Sequence, residues 1–256
     1  MIPKIIHYVW VGGNPLTPLA EKCIESWKKY CPDYEIKRWD ETNFNINENA
    51  YCKEAYESKK WAFVADYIRL KVLYEYGGVY MDTDVEVIKP FSKFLNHKAF
   101  VGYETDKFLS TGIIAAEQGN AWIKENLDYY NDKHFLLEGN KLDLTTNVVT
   151  VTKITQKMYP SVVLDGKYTQ LELVSFYPKD YFSPISPETK ECEMTKNTCT
   201  IHHFSGSWLE PSTKFQRFKM KIKLIIKKII GKKNVKRIRD ARKRRREKKE
   251  RANENK

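Results

Sequence analysis

Several familiar classes are excluded by what the 256-residue sequence lacks. Its five cysteines (Cys23, Cys31, Cys52, Cys192 and Cys199) are an odd number for a stapled secreted domain, and no Cys-x-x-Cys pair points to zinc. Reduced thiols in a cytoplasmic protein are the expectation, with a small Cys192–Cys199 loop as the alternative. No stretch approaches the roughly 18 apolar residues of a membrane span. Leu224 to Ile230, the most apolar part of the C-terminal region, is broken by Lys227 and Lys228. Met1 to His7 lacks the charged-then-apolar layout and cleavage site of a signal peptide. There is no internal repeat and no obvious linker within the body.

What is present suffices for one large domain plus an appendage, at 41% apolar and 13% aromatic residues. The formal charge of +12 hides a split. Residues 214–256 hold 21 basic and 4 acidic side chains, net +17, whereas residues 1–213 are net −5. A mildly acidic body with a basic tail is a poor match to a uniformly basic nucleic-acid-binding domain.

Along the body, Ile5 to Val11 reads as a buried strand ending in the loop signal Gly12-Gly13-Asn14-Pro15. Thr17 can cap a helix to about Tyr30, and Tyr34 to Trp39 reads as a second strand. This β-α-β opening favours a parallel sheet with crossover helices. Asp40 to Ser58 is polar connection with one short helix. Lys59 to Tyr76 is predicted to be amphipathic, with Ala62, Ala65, Leu70, Leu73 and Tyr74 at helical spacing and Gly77-Gly78 as its stop. Strands are expected at 79–81, 85–88, 99–103, 112–116 and 198–204, and helices at 120–130 and 146–158. The body is therefore read as a single α/β domain.

Asp82 and Asp84 lie two apart just past a short apolar strand. If the segment is extended, both carboxylates face one point at the strand's C-terminal end, where open α/β sheets place ligands. Hard oxygen ligands so placed suit Mg²⁺ or Mn²⁺; the alternative is a solvated turn. On the preceding helix Asp66 and Arg69 share a face at i, i+3. A surface ion pair there would contribute under about 1 kcal/mol, but the surrounding Trp61 to Ile68 stretch is otherwise largely apolar, which favours a ligand-facing role. Trp10, beside a Gly-Gly loop, is either core or a flat platform for a nucleotide base.

Together these segments resemble the DXD-containing sugar-transferase family (glycosyltransferase family 32) of GT-A glycosyltransferases, whose core is related to that of the large clostridial glucosylating toxins. The matching segments are Lys4-Ile5-Ile6-His7-Tyr8-Val9-Trp10-Val11-Gly12-Gly13, then Ala65-Asp66-Tyr67-Ile68-Arg69 through Leu73-Tyr74-Glu75-Tyr76-Gly77-Gly78-Val79-Tyr80-Met81-Asp82-Thr83-Asp84, and Ile201-His202-His203-Phe204-Ser205-Gly206-Ser207-Trp208.

The resemblance implies a single Rossmann-like, GT-A nucleotide-diphospho-sugar transferase domain over 1–213. Val9 and Trp10 would hold the base, Asp66 and Arg69 the donor sugar and its phosphate side, and Tyr80 the nucleotide. Asp82 would contact ribose or metal, Asp84 would be the principal metal ligand, and Ser207 and Trp208 would close over the diphosphate. His202 and His203 sit where the family often carries a histidine that completes the metal or phosphate site; His203 is taken as the metal ligand, with one core and one exposed strand histidine as the alternative reading. Where the family commonly has Asn before Gly, this chain has Thr111, which keeps a hydrogen-bonding side chain for the donor site.

The implied reaction is metal-dependent transfer of a hexose from a nucleotide sugar, a UDP-sugar favoured and GDP-mannose possible, to a glycan or lipid-linked glycan. It would proceed with retention, in bacterial surface polysaccharide synthesis (capsule or lipopolysaccharide). No catalytic base is evident. The alternatives are an effector that glycosylates host proteins and, from another class, a basic-tailed nucleic-acid-binding protein.

In the tail, Phe215, Phe218, Ile222, Ile225, Ile226 and Ile229 form one helical stripe with lysines between them. Such a helix lies on an anionic membrane surface, and the run Arg242 to Arg246 adds roughly 1 kcal/mol of attraction per basic residue. Residues 214–256 are therefore expected to hold the protein peripherally on the inner face of the cell membrane; a helix docked on the body through its apolar stripe and nucleic-acid contact by the last twenty residues are the alternatives.

Overall fold

The structure, a computed structural model, describes residues 1–187 and 189–206; Ser207, Trp208 and the basic tail over 214–256 lie outside the described residues. The chain opens with β1 (Ile5–Val9), α1 (Pro18–Tyr30) and β2 (Glu35–Trp39). Next come α2 (Ala50–Glu57), α3 (Trp61–Tyr76), β3 (Gly78–Met81), β4 (Val85–Val87), β5 (Ala99–Thr105) and β6 (Phe108–Ala116). The later part holds α4 (Ala121–Asp128), β7 (Leu136–Leu137), β8 (Lys141–Leu142), α5 (Asn147–Met158), β9 (Thr169–Gln170), β10 (Ser175–Tyr177), α6 (Lys179–Phe182) and β11 (Thr200–His202).

The helix starts follow from local chemistry. Thr17 Oγ1 accepts the Ala20 N–H at 3.2 Å, with Pro18 pre-set for the first turn of α1. Asn49 caps α2 through the Cys52 N–H at 3.1 Å, and Asn120 caps α4 through Trp122 and Ile123. Gly77 ends α3 at φ 65°, a left-handed value that favours glycine.

Seven strands form one sheet in the order β2-β1-β3-β6-β5-β10-β9. β1 pairs parallel with β2 and β3, and β5 parallel with β10. β6 runs antiparallel between β3 and β5, and β9 antiparallel to β10. The sheet is thus mixed α/β rather than wholly parallel: the β-α-β opening is as expected, but β6 returns directly beside β3 with no crossover helix to reverse it.

Alternation along the strands builds a core on each face. Val9, Tyr80, Ile114 and Val101 face α3, α4 and α5, whereas Tyr8, Val79, Met81, Ile113 and Phe100 face the side of α1. α3 departs from the amphipathic expectation. Phe63, Val64, Tyr67, Ile68, Leu70, Val72 and Leu73 are all buried, as are Asp66 and Arg69, so the helix is buried nearly all round. A helix wedged between the sheet and α2 and α4 has little solvent face left.

The five cysteines are free thiols, so Cys192 and Cys199 close no loop; Cys199 is buried and Cys192 exposed. Among the described residues, no helix is long and apolar enough to cross a membrane.

Candidate active site

β3 delivers Asp82 and Asp84 to the C-terminal edge of the sheet. The Asp82 N–H donates to the Gly112 carbonyl at 2.8 Å, and the Asp82 carbonyl accepts the Val85 N–H at 3.0 Å. The two aspartates therefore sit on a turn between β3 and β4, not on one face of an extended strand. Their carboxylates converge for another reason: β11 pairs antiparallel with β4, His202 opposite Val85, and brings an imidazole between them.

His202 Nε2 lies 3.2 Å from Asp84 Oδ1 and 4.0 Å from Asp82 Oδ2. One ligand atom from each of Asp82, Asp84 and His202 lies within 4.8 Å of the others, the spacing of a shared cation. Two carboxylates and one imidazole fit a Mn²⁺- or Mg²⁺-type ion. His202 is buried, and its Nδ1 has no hydrogen-bond partner. Burial opposes charge on the ring, yet Asp84, Asp82 and Glu104 outweigh it and raise its basicity. Burial likewise opposes Asp84 ionisation, but His202 and the Ser205 N–H, 2.8 Å from Oδ2, hold that carboxyl well below the usual range.

This corrects the expected metal set. His203 points the other way along the strand, with Nε2 2.9 Å from Glu86 Oε2, a carboxylate shared with Lys22 Nζ at 2.9 Å. Adjacent strand residues face opposite sides, so only one of the two histidines can meet the aspartates.

α3 supplies the neighbouring charges. Arg69, 4% exposed, donates through Nη2 to Asp66 Oδ1 at 2.9 Å and approaches Asp82 Oδ1 at 3.4 Å. Nη1 donates to the Thr111 carbonyl, and the guanidinium lies 4.6 Å over the Tyr80 ring. Tyr80 is buried and donates its hydroxyl to Asp82 Oδ1 at 2.9 Å, because residues 80 and 82 share a side of the sheet. Burial pushes the Asp66 carboxyl up to about 6 against the pull of Arg69. Burial also works against the Arg69 charge, but Asp82, Tyr80 and Asp66 hold it protonated. The pair is held as a network rather than as a surface bridge.

Asp66, Arg69, Tyr80, Asp82, Asp84 and the Thr111 backbone thus meet in one place. Val9 is core on the α3 face. Trp10 is half-buried against the opposite core, its indole N–H donating to the Asn14 carbonyl at 2.7 Å. Because β1 and β3 run parallel with His7 opposite Tyr80, Trp10 leaves the sheet at the same edge as Asp82. Ser207 and Trp208 lie outside the described residues; Ser205, just before them, already touches Asp84.

Two participants were not legible in sequence. Gly112 leaves room for the His202 ring, and Glu104 on β5 feels both His202 and Asp82, its carboxyl raised chiefly by burial. Pairing across distant strands creates both roles.

A family model described as "Glycosyltransferase sugar-binding region containing DXD motif" matches residues 18–101, which include Asp66, Arg69, Tyr80, Asp82 and Asp84. An uncharacterised glycosyltransferase of Acanthamoeba polyphaga mimivirus is 26% identical over 233 residues, 88% of this chain and 91% of that protein. Inositol phosphoceramide mannosyltransferase 3 of Schizosaccharomyces pombe is 27% identical over 129 residues, 48% of this chain and 35% of its own length. Among solved structures, the PaToxG glycosyltransferase aligns with a TM-score of 0.49 and 20% identity, over 62% of this chain and 70% of its own.

Proposed function

The chain is a glycosyltransferase that carries a DXD-type sugar-binding region, and on that premise we propose that it moves a hexose from a nucleotide sugar to a glycan or lipid-linked glycan, using a divalent cation. The observation that carries this reading is the convergence of Asp82, Asp84 and His202 on one point beside the buried Arg69–Asp66 pair. A UDP-sugar is the favoured donor and GDP-mannose the alternative.

Mn²⁺ or Mg²⁺ held by the two carboxylates and His202 Nε2 would act as a Lewis acid toward the leaving diphosphate. The chain's own residues do the rest. Asp84 Oδ2 accepts the Ser205 N–H at 2.8 Å, which holds one carboxylate oxygen in place and leaves Oδ1 for the cation without reorganisation. Tyr80 and Arg69 fix Asp82 from the other side, which orients its second oxygen toward the shared point. Arg69 adds permanent positive charge where the diphosphate gains negative charge. Asp66 faces the sugar as a hydrogen-bond acceptor. Transfer with retention is part of the proposal, read by the anomeric signal of the product.

A lipid-linked acceptor draws support from the name of the yeast relative, an inositol phosphoceramide mannosyltransferase, and from the basic stripe of residues 214–256 in the sequence. The setting we assign is surface-polysaccharide assembly at the inner face of a bacterial membrane, with donor arriving from the aqueous side. Flotation on anionic liposomes, full chain against a version ending at Lys214, tests that attachment; equal flotation removes it.

The activity is tested by diphosphate release from UDP-glucose, UDP-galactose and GDP-mannose with Mn²⁺ or with EDTA. Release from one donor class, abolished by EDTA and by Asp84→Asn, is expected. Release indifferent to EDTA, or none from any donor, overturns the reading.

A further inference from the structure

β5 and β6 separate beside the cation site. Val101 pairs with Ile114, but the next pair is Tyr103 with Leu109, so residues 110–113 of β6 bulge opposite Gly102 alone. That bulge brings the Thr111 carbonyl to Arg69 and the Gly112 carbonyl to the Asp82 N–H. A second shift in register, between Tyr103 and Thr105, falls on Glu104. Its half-buried carboxyl feels both His202 and Asp82, with Lys190 as a third charge nearby. No hydrogen bond or ion pair among the described residues occupies that carboxyl.

Glu104 also walls a cavity of about 150 Å³, lined by Thr105, Asp106, Lys179, Ser186 and Pro187 as well. The cavity lies between the end of β5, the start of α6 and the loop after α6, which the Ile185–Cys192 bridge pins. One carboxyl thus belongs to two places, the cation site and this cavity. At well under the roughly 300 Å³ of a drug-sized pocket, the space fits one ring rather than a chain.

The lining chemistry is that of a polyol site. Glu104 and Asp106 offer acceptors. Thr105 Oγ1 accepts the Lys107 N–H at 3.4 Å and Ser186 Oγ the Thr189 N–H at 3.2 Å, so each hydroxyl keeps its own proton to donate. The Lys179 ammonium is already 3.2 Å from Glu193 Oε2. Two carboxyls against one paired ammonium oppose a phosphate, whereas ring hydroxyls both donate and accept.

We propose that this cavity is the acceptor subsite and takes an uncharged polyol ring, a hexose or an inositol, with Glu104 accepting a hydrogen bond from a ring hydroxyl on the side of the cation site. This rests on the nucleotide-sugar reading above and names the chemistry of its acceptor. Any phosphate or lipid that the acceptor carries lies outside the cavity.

The test measures diphosphate release from the preferred donor with Mn²⁺, alone and with methyl glucoside, methyl galactoside, methyl mannoside or myo-inositol. Glucose 6-phosphate, galactose 6-phosphate, mannose 6-phosphate and myo-inositol 1-phosphate are the anionic counterparts. In wild type at least one neutral ring should stimulate release, and its phosphate should be about tenfold poorer in kcat/KM; the hexose and inositol arms tell the two sources apart. Glu104→Gln should raise the KM for the neutral ring about tenfold and narrow its advantage over the phosphate. Ser186→Phe, which fills the cavity from its outer wall, should abolish stimulation while UDP with Mn²⁺ binds within about twofold of wild type. Should that variant fail to melt cooperatively, Ser186→Leu carries the same comparison with less added volume. Donor release that no neutral ring stimulates overturns the proposal. So does equal use of ring and phosphate by wild type, stimulation that survives the filled cavity, or a Glu104→Gln variant with wild-type KM and preference. No release from any donor, with or without a ring, would instead overturn the parent reading, and this inference with it.

Discussion

The Gly112 α-carbon approaches the His202 imidazole so closely that a methyl group there would come within 2.8 Å of the ring and 3.3 Å of Asp82 Oδ2. Gly112→Ala therefore acts on the cation site before it acts on the fold, because both neighbours are side chains that can move. We expect Mn²⁺ affinity to fall by about 10–100-fold with a small change in melting temperature. Calorimetric titration and a thermal melt on the same sample check this; unchanged Mn²⁺ affinity would show that the crowding is absorbed elsewhere.

The two histidines should separate cleanly. His202→Ala removes one of three ligand atoms and should abolish Mn²⁺-dependent stabilisation, whereas His203→Ala removes a partner of Glu86 and should keep it. The measurement is the Mn²⁺-induced shift in melting temperature for each variant. Equal losses would mean that the strand can present either ring.

Arg69 ties together α3, β6 and the turn after β3. Arg69→Met leaves the buried Asp66 and the half-buried Asp82 without their cation and should cost about 3–5 kcal/mol. Asp66→Asn with Arg69→Met should recover part of that loss, because the uncompensated carboxylate is gone. Urea unfolding of the single and double variants decides it.

His7 gives a pH dependence away from the site. Trp39 Nε1 donates to its Nδ1 at 3.1 Å, and its Nε2 bonds the Gly77 carbonyl at 2.8 Å, so the folded ring is neutral. Burial, opposed by the Gly77 bond and helped by Lys37, pushes its pKa down to about 4 from 6.5. Above pH 6.5 the ring is neutral folded and unfolded and contributes nothing. As pH falls from 6.5 to 4, the unfolded chain takes the proton first, and stability drops by about 3 kcal/mol from this group. His7→Gln should be less stable at pH 7 but should lose less on acidification; parallel slopes for the two proteins would refute the assignment.

Period and capping signals made much of the body readable before the structure. Thr17, Asn120 and the Gly77 stop bound helices where expected, and β1, β2 and β3 follow from short apolar runs between turn residues. The illegible parts share one cause, contact between distant segments. β10 is three residues long and has no period of its own; its place is fixed by pairing with β5. The outward spacing assigned to α3 failed because α2, α4 and the sheet bury its other faces too. At the site, the residues near 66–84 could be named from the sequence. The choice between His202 and His203 depended on the register of β11 on β4.

That register has a mechanical consequence. The aspartates lie near the first third of the chain and His202 near the end of the described part, joined across the two-stranded β4–β11 ribbon. Anything gripped between them works as a clasp. It would resist peeling of β11 from β4, so occupancy of the site and closure of the late segment rise and fall together, and a chain cut before Thr200 would keep its main sheet but have only half the clasp.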